Sequence, residues 1–133
     1  MTVGTETHSL FARNIDIAVK ALLAKDYPTA QDYIKSAMLE NHNAPEVHNL
    51  LGALAELTGD LRLAGKHYRA AYALDPAYKP ANRNLDRITA LNFSTGDTYP
   101  DFGDKPETEE ILPYSIEYDN QNIGHLRKKE QRK

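Results

Sequence analysis

The sequence predicts an all-α protein built from antiparallel helical hairpins that repeat along the chain. Three observations support this fold class: apolar residues recur at helical spacing, Pro, Gly and Asp divide the chain into helix-length segments, and residues 11–44 resemble residues 45–78 at an offset of 34. Periods of this length are typical of stacked helical-repeat proteins. The chain has 133 residues, which is enough for one domain of ordinary size.

The first period predicts two helices separated by a short break. Apolar side chains recur at helical spacing over residues 15–22 and again over residues 30–38. Residues 25–28 separate these two stretches, and Pro28 suits the first turn of a helix, where a missing N–H costs nothing. The first period is therefore one helical hairpin.

The second period has the same organisation with stronger boundary signals. Pro45 opens a helix, Gly59 suits the left-handed conformation that ends it, and Asp60 can cap the next helix. Asp75 precedes Pro76, and the residue before a proline disfavours helix, so the hairpin closes there.

A fifth helix opens at Pro80, and no partner helix follows it. Such a single terminal helix can cover the apolar flank of the last full hairpin in a repeat array. We therefore predict a five-helix domain over residues 8–93 and a largely irregular, acidic and aromatic tail over residues 94–133 with a basic end. Residues 123–133 could form a short basic helix, although they lack an apolar stripe.

The second period resembles the tetratricopeptide repeat (TPR) family. The residues that carry the resemblance are Leu51-Gly52, Leu57, Gly59-Asp60, Ala64, Tyr68, Ala71 and Asp75-Pro76. The first period departs from the family pattern, since Lys25 replaces the turn glycine and His42 replaces the closing proline. The resemblance covers about residues 11–93.

This resemblance implies a right-handed TPR-like stack in which small side chains let paired helices approach closely. The positions predicted to pack the repeats are Ala18, Ala30, Ala37, Gly52, Ala64, Tyr68 and Ala71.

The resemblance also implies a groove lined mainly by the first helix of each hairpin, which binds a protein or peptide. The predicted groove residues are Asn49, Ala53, Glu56, Lys79, Arg83, Asn84 and Arg87. Arg83 and Arg87 lie four residues apart and so share a helix face, where two guanidinium groups can bind a carboxylate. The alternative for these arginines is a solvated charged face.

The sequence offers little to support catalysis, a cofactor or a metal. Cysteine is absent, and no phosphate-binding loop or nucleophile elbow is present. His42 and His48 flank the turn between the two periods, where a polar turn is favoured over a metal site. His67 is expected to be a packed side chain rather than a base.

Charge and hydropathy argue against nucleic acid and membrane as partners. Residues 1–92 carry ten Lys/Arg and ten Asp/Glu, so the repeats present no broad basic face. No apolar stretch reaches the length of a membrane span, and no secretory signal is evident, so a cytoplasmic location is predicted.

The tail combines an excess of acid with apolar groups. Residues 97–119 hold eight acidic residues and one lysine, which argues against a packed structure of their own. We expect this segment to bind along the chain's own helices, with a disordered tail or a partner-binding tail as the alternatives. The tail residues expected to make such contacts are Tyr99, Phe102, Ile111, Leu112 and Tyr114.

The predicted function is that of a non-catalytic adaptor that presents its groove to a protein or peptide partner. One alternative is a structural scaffold subunit that assembles with copies of itself. The other is a regulatory or accessory subunit of an enzyme complex. The identity of the partner and the oligomeric state are open at this stage.

Overall fold

Five helices and two paired strands are the regular elements of the described part of the chain. The structure is a computed structural model and describes residues 3–94, 96, 98–107, 114–118 and 124–128. The elements are α1 (Val3–Leu23), α2 (Tyr27–Glu40), α3 (Pro45–Leu57), α4 (Leu61–Leu74), α5 (Lys79–Thr89), β1 (Tyr114–Tyr118) and β2 (Gly124–Lys128). The five predicted helices are therefore confirmed, although α1 begins at Val3, ahead of the predicted boundary at residue 8.

The turn that joins α1 to α2 is closed by the backbone and by a side-chain cap. Lys25 adopts the left-handed conformation with φ of 62°, although it is not glycine. This conformation lets the Asp26 N–H donate to the Ala21 carbonyl over 2.8 Å. The Asp26 carboxylate then accepts from the Thr29 N–H over 3.3 Å, which caps the start of α2.

The turn that joins α3 to α4 has the same hydrogen bonds, 34 residues later. Gly59 takes the left-handed conformation with φ of 90°. The Asp60 N–H donates to the Ala55 carbonyl over 2.8 Å, and the Asp60 carboxylate caps α4 by accepting from the Leu63 N–H over 3.0 Å.

The ends of the two hairpins also match. Asn41 closes α2 by donating its N–H to the Ala37 carbonyl, and Asp75 closes α4 by donating to the Ala71 carbonyl, both over 3.0 Å. Both capping residues are extended, with φ of −153° and −151°. The 34-residue period of the sequence is thus also a period of the backbone hydrogen bonds.

Small residues at the helix crossings allow the hairpins to pack closely. The residues expected to pack the repeats, Ala18, Ala30, Ala37, Gly52, Ala64, Tyr68 and Ala71, are all buried. A methyl group on Gly52 would overlap the Tyr68 ring, so α3 and α4 approach as closely as they do because residue 52 has no side chain.

Among the described residues, no helix is both long and apolar enough to cross a membrane.

The tail differs from the prediction. Residues 124–128 form a strand, so the predicted basic helix over residues 123–133 is wrong there. This strand pairs with β1 in an antiparallel register that sets Ile116 opposite Leu126. Tyr114, Ile116 and Tyr118 alternate with polar residues in the sequence, and this period of two favours a strand. The described part of the tail thus contains two short paired strands, whereas residues 98–107 form neither helix nor strand, as expected of a largely irregular tail.

The strained turn residue yields a stability prediction. Replacing Lys25 with glycine removes a left-handed penalty of roughly 1–2 kcal/mol, of which the greater freedom of glycine in the unfolded chain cancels a part. We expect Lys25→Gly to raise the free energy of unfolding by about 0.5–1 kcal/mol in urea denaturation. The matched control is Gly59→Ala, which should lower it, and a destabilised Lys25→Gly variant would contradict the prediction.

Candidate functional site

A segment that follows the last helix lies against α3 and α5, and we call residues 98–107 the docked segment. Its centre is the main chain of Asp101. The Asp101 N–H donates to the Asn84 side-chain oxygen over 2.7 Å, and the Asp101 carbonyl accepts from the Asn84 amide over 2.7 Å. The Asn49 amide donates to the same carbonyl over 2.9 Å. Two side-chain amides therefore bind the main chain of one residue of the docked segment at both its N–H donor and its carbonyl acceptor.

Asn49 and Asn84 are held in place by each other and by a neighbouring arginine. Both side chains are fully buried. The Asn84 amide donates to the Asn49 side-chain oxygen over 2.8 Å, and Arg87 donates to the Asn84 side-chain oxygen over 3.3 Å. These contacts fix the orientation of the Asn84 amide, because a buried amide needs its hydrogen-bond partners.

An aromatic anchor follows the gripped peptide unit. Phe102 is 5% exposed and joins the apolar cluster that includes Val19, Leu50 and Ala53. Burial of a phenylalanine side chain contributes roughly 1.5–3 kcal/mol. The Tyr99 ring packs edge-on against Phe102 with centroids 5.7 Å apart. The apolar floor between α1 and α3 therefore supplies much of the attraction for the docked segment.

The residue after the anchor has little room for a side chain. Gly103 is left-handed with φ of 74°, and a methyl group added to it would overlap the Tyr78 hydroxyl. Its N–H donates to the Asp101 carboxylate over 2.9 Å, which tightens the turn. Tyr78 has a raised pKa, because burial and the nearby carboxylates of Glu46 and Asp101 disfavour its ionised form.

Arg83 joins two acidic groups of the docked segment. It donates to the Asp101 carboxylate over 3.0 Å and to both oxygens of the Glu107 carboxylate over 3.1 and 2.7 Å. These bonds raise the pKa of Arg83, and the Arg83 bonds lower the pKa of Glu107. The Arg83 side chain is 42% exposed, so solvent screens this pair and it contributes more to orientation than to stability.

A buried ion pair lies beneath this surface and joins three helices. Arg87 of α5 donates to both oxygens of the Glu56 carboxylate of α3 over 2.7 and 2.6 Å. The Tyr68 hydroxyl of α4 donates to Glu56 over 2.8 Å. The Glu56 and Arg87 side chains are 6% and 17% exposed, so both charges are largely removed from water. Burial, followed by the charge of Glu56, raises the pKa of Tyr68.

Two histidines meet between α3 and α4, away from the groove residues described above. The Nδ1 atoms of His48 and His67 lie 3.4 Å apart, and the rings are stacked. Burial lowers the pKa of His48, and burial followed by the charge of His48 lowers the pKa of His67. Within the described ranges, no three His, Cys, Asp or Glu side chains converge as a metal site would require.

The structure brings most of the predicted groove residues together. Asn49, Arg83 and Asn84 contact the docked segment, whereas Glu56 and Arg87 contact each other. Arg87 also donates to Thr98 over 3.0 Å. Ala53 lies in the apolar cluster, and the charge of Lys79 contributes to the lowered pKa of Glu107.

The predicted tail residues have different outcomes. Tyr99 and Phe102 lie in the docked segment, and Tyr114 begins β1. Ile111 and Leu112 lie outside the described residues. Sequence reasoning missed Tyr78 and the turn at Gly103, and it missed the role of Asp101 because that role depends on the main chain. The Asp-Phe-Gly run was the only available signal.

Comparison with known proteins found no matching family model, no matching curated protein and no matching solved structure.

The buried ion pair predicts a large asymmetry between two carboxylate substitutions. Glu56→Gln leaves the Arg87 charge without its partner in a largely buried position, which typically costs about 3–5 kcal/mol. Asp16→Asn removes an exposed pair with Lys20 in α1 and should cost less than about 0.5 kcal/mol. Urea denaturation of both variants measures the difference, and equal costs would show that the Glu56–Arg87 pair does not join the helices.

The histidine pair predicts a loss of stability in mild acid. The folded-state pKa values of His48 and His67 are lowered, so between the unfolded value of about 6.5 and the folded values the unfolded chain binds more protons. This contribution is fully present above pH ~6.5 and is lost as the pH falls through that window.

Urea denaturation at pH 7.5 and pH 5.5 measures the effect. We expect His67→Gln to lose less stability than the wild type between these two conditions, since it removes one of the two titrating groups. The control is His42→Gln, which changes an exposed histidine and should behave like the wild type. Identical pH dependence in all three proteins would contradict the prediction.

Proposed function

We propose that this chain is a non-catalytic module of the tetratricopeptide type whose groove binds an extended peptide segment of a partner protein. The proposal rests on one observation: the side-chain amides of Asn49 and Asn84 form hydrogen bonds with the main chain of Asp101. Main-chain recognition of this kind does not depend on the side chain of the gripped residue. It therefore suits a protein that binds segments of other chains.

The arrangement of the remaining polar groups supports binding rather than chemistry. Glu56 of α3 is paired on both oxygens with Arg87. Such a carboxylate is ill placed to take up a proton from a substrate. The amides of Asn49 and Asn84 do not titrate, so they can position a ligand without activating it.

The repetition of hydrogen bonds at an offset of 34 residues supports the tetratricopeptide assignment. Asp26 and Asp60 each cap the second helix of a hairpin, and Asn41 and Asp75 each end it. We propose on this basis that the module acts as an adaptor, with α5 as the terminal helix of a short array.

Selection of random peptides displayed on phage against the full-length protein tests this function. With Phe102 also replaced by alanine, so that residues 98–107 do not compete, we expect selected peptides to lose about fivefold or more in affinity when Asn84 is replaced by alanine, because two main-chain bonds worth about 0.5–1.5 kcal/mol each are removed. Asn43→Ala, in an exposed turn, is the matched control and should leave the affinity unchanged. Selected peptides that bind Asn84→Ala as tightly as the wild type would contradict a groove function.

A further inference from the structure

The docked segment indicates which ligand chemistry the groove accepts, because four of its residues contact the groove in different ways. The main chain of Asp101 forms hydrogen bonds with two side-chain amides, and Phe102 is buried in the apolar cluster. Gly103 lies against Tyr78, and Glu107 forms an ion pair with Arg83. Each contact uses a different property: a main-chain N–H and carbonyl, an aromatic ring, the absence of a side chain and a negative charge.

We propose that the partner of this groove is an extended acidic segment of another protein that contains an Asp-Phe-Gly core, and that residues 98–107 occupy the groove as an internal competitor of that partner. This inference rests on the proposed peptide-binding function and names its ligand. The three features that select the ligand are the buried ring, the glycine that follows it and the acidic group that reaches Arg83.

Charge complementarity favours an acidic partner. The docked segment carries Asp101, Asp104 and Glu107 against Lys105 alone, and the facing side of α5 carries Lys79, Arg83 and Arg87. Arg87 is neutralised by Glu56, so Arg83 and Lys79 are the basic groups of this helix that a ligand can engage. A basic or neutral segment would leave Arg83 without its carboxylate partners.

The internal competitor sets how tightly an outside ligand can bind. Eight residues separate Thr89, the end of α5, from Thr98, the start of the docked segment. A short connection of this kind gives an effective concentration on the order of 1 mM. If residues 98–107 bind the groove with an intrinsic Kd of about 0.1 mM, about one groove in ten is empty, and an outside ligand shows an apparent Kd roughly tenfold weaker than its intrinsic Kd.

Two substitutions in the full-length protein should displace residues 98–107 from the groove without changing the helix residues that line it. We call the two resulting proteins the emptied variants. Phe102→Ala removes the anchor, and Gly103→Val places a β-branched side chain at a left-handed position against Tyr78. The second variant guards against a general loss of stability in the first, since it leaves the Phe102 side chain present. Circular dichroism checks that both variants keep their helices.

The probe is a fluorescein-labelled peptide with the sequence of residues 98–107, Thr-Tyr-Pro-Asp-Phe-Gly-Asp-Lys-Pro-Glu. We expect fluorescence anisotropy to show at least about tenfold tighter binding to both emptied variants than to the wild type. Adding Arg83→Glu to an emptied variant should abolish this gain, whereas adding Arg69→Glu, on the exposed side of α4, should not. Peptides in which the Phe or the Gly is replaced by Ala should fail to bind.

Several results would overturn the inference. Equal binding to wild type and emptied variants would mean that the docked segment does not compete for the groove. The probe could fail to bind the emptied variants while peptides selected from the random library still depend on Asn84. In that case the proposed ligand is wrong, but the groove function is not contradicted. If the probe does not bind the emptied variants and the library peptides do not depend on Asn84, both the proposed ligand and the proposed groove function are wrong. If light scattering shows that the wild type is a dimer and that Gly103→Val dissociates it, residues 98–107 bind the groove of a second copy of this chain.

Discussion

The Glu56 carboxylate is the group on which the rest of the groove depends. A charge that is 6% exposed is stable only if its partners are close, and Arg87 and Tyr68 supply three short hydrogen bonds. Because Tyr68 belongs to α4 and Arg87 to α5, this single group joins the second hairpin to the terminal helix. Tyr68 also fills the space that Gly52 leaves open, so the position of the carboxylate is coupled to the closest helix crossing. The apolar core and the polar groove therefore depend on one another.

The groove extends outward from this buried pair through Asn84. Arg87 contacts Asn84, Asn84 contacts Asn49, and both amides contact the main chain of Asp101. A fully satisfied buried network is rigid, whereas one with a missing member is costly. If residues 98–107 were displaced, the amides of Asn49 and Asn84 would need water or another main chain as hydrogen-bond partners. Under the proposed function, this requirement favours a peptide main chain in the groove, whatever its side chains.

The sequence predicted the helices well because their signals are local. Pro45, Asp60 and Pro80 mark helix starts through their own backbone and side-chain chemistry, and the structure has a helix beginning at each place. The sequence also pointed to the face that includes Asn49 and Arg83. It could not show that Asn49 and Asn84 are partners, because they lie 35 residues apart and their contact depends on how α3 and α5 pack. The strands were missed because the acid and proline content of the tail outweighed a short alternating pattern.

Under the proposed peptide-binding function, different contacts of the groove would supply affinity and selectivity. Asn49 and Asn84 bind the main chain of Asp101 and not its side chain, so they would contribute affinity but little discrimination. Discrimination falls to the positions beside that unit, where Phe102 needs an apolar floor and Gly103 has no room for a side chain beside Tyr78. Arg83 then selects by charge and does so from an exposed position, so its contribution weakens as salt is added. The two steric features do not depend on salt. A ligand that keeps the Phe and the Gly but carries neither acid that pairs with Arg83 should therefore bind with an affinity nearly independent of ionic strength, whereas one that carries these acids should gain affinity mainly at low salt.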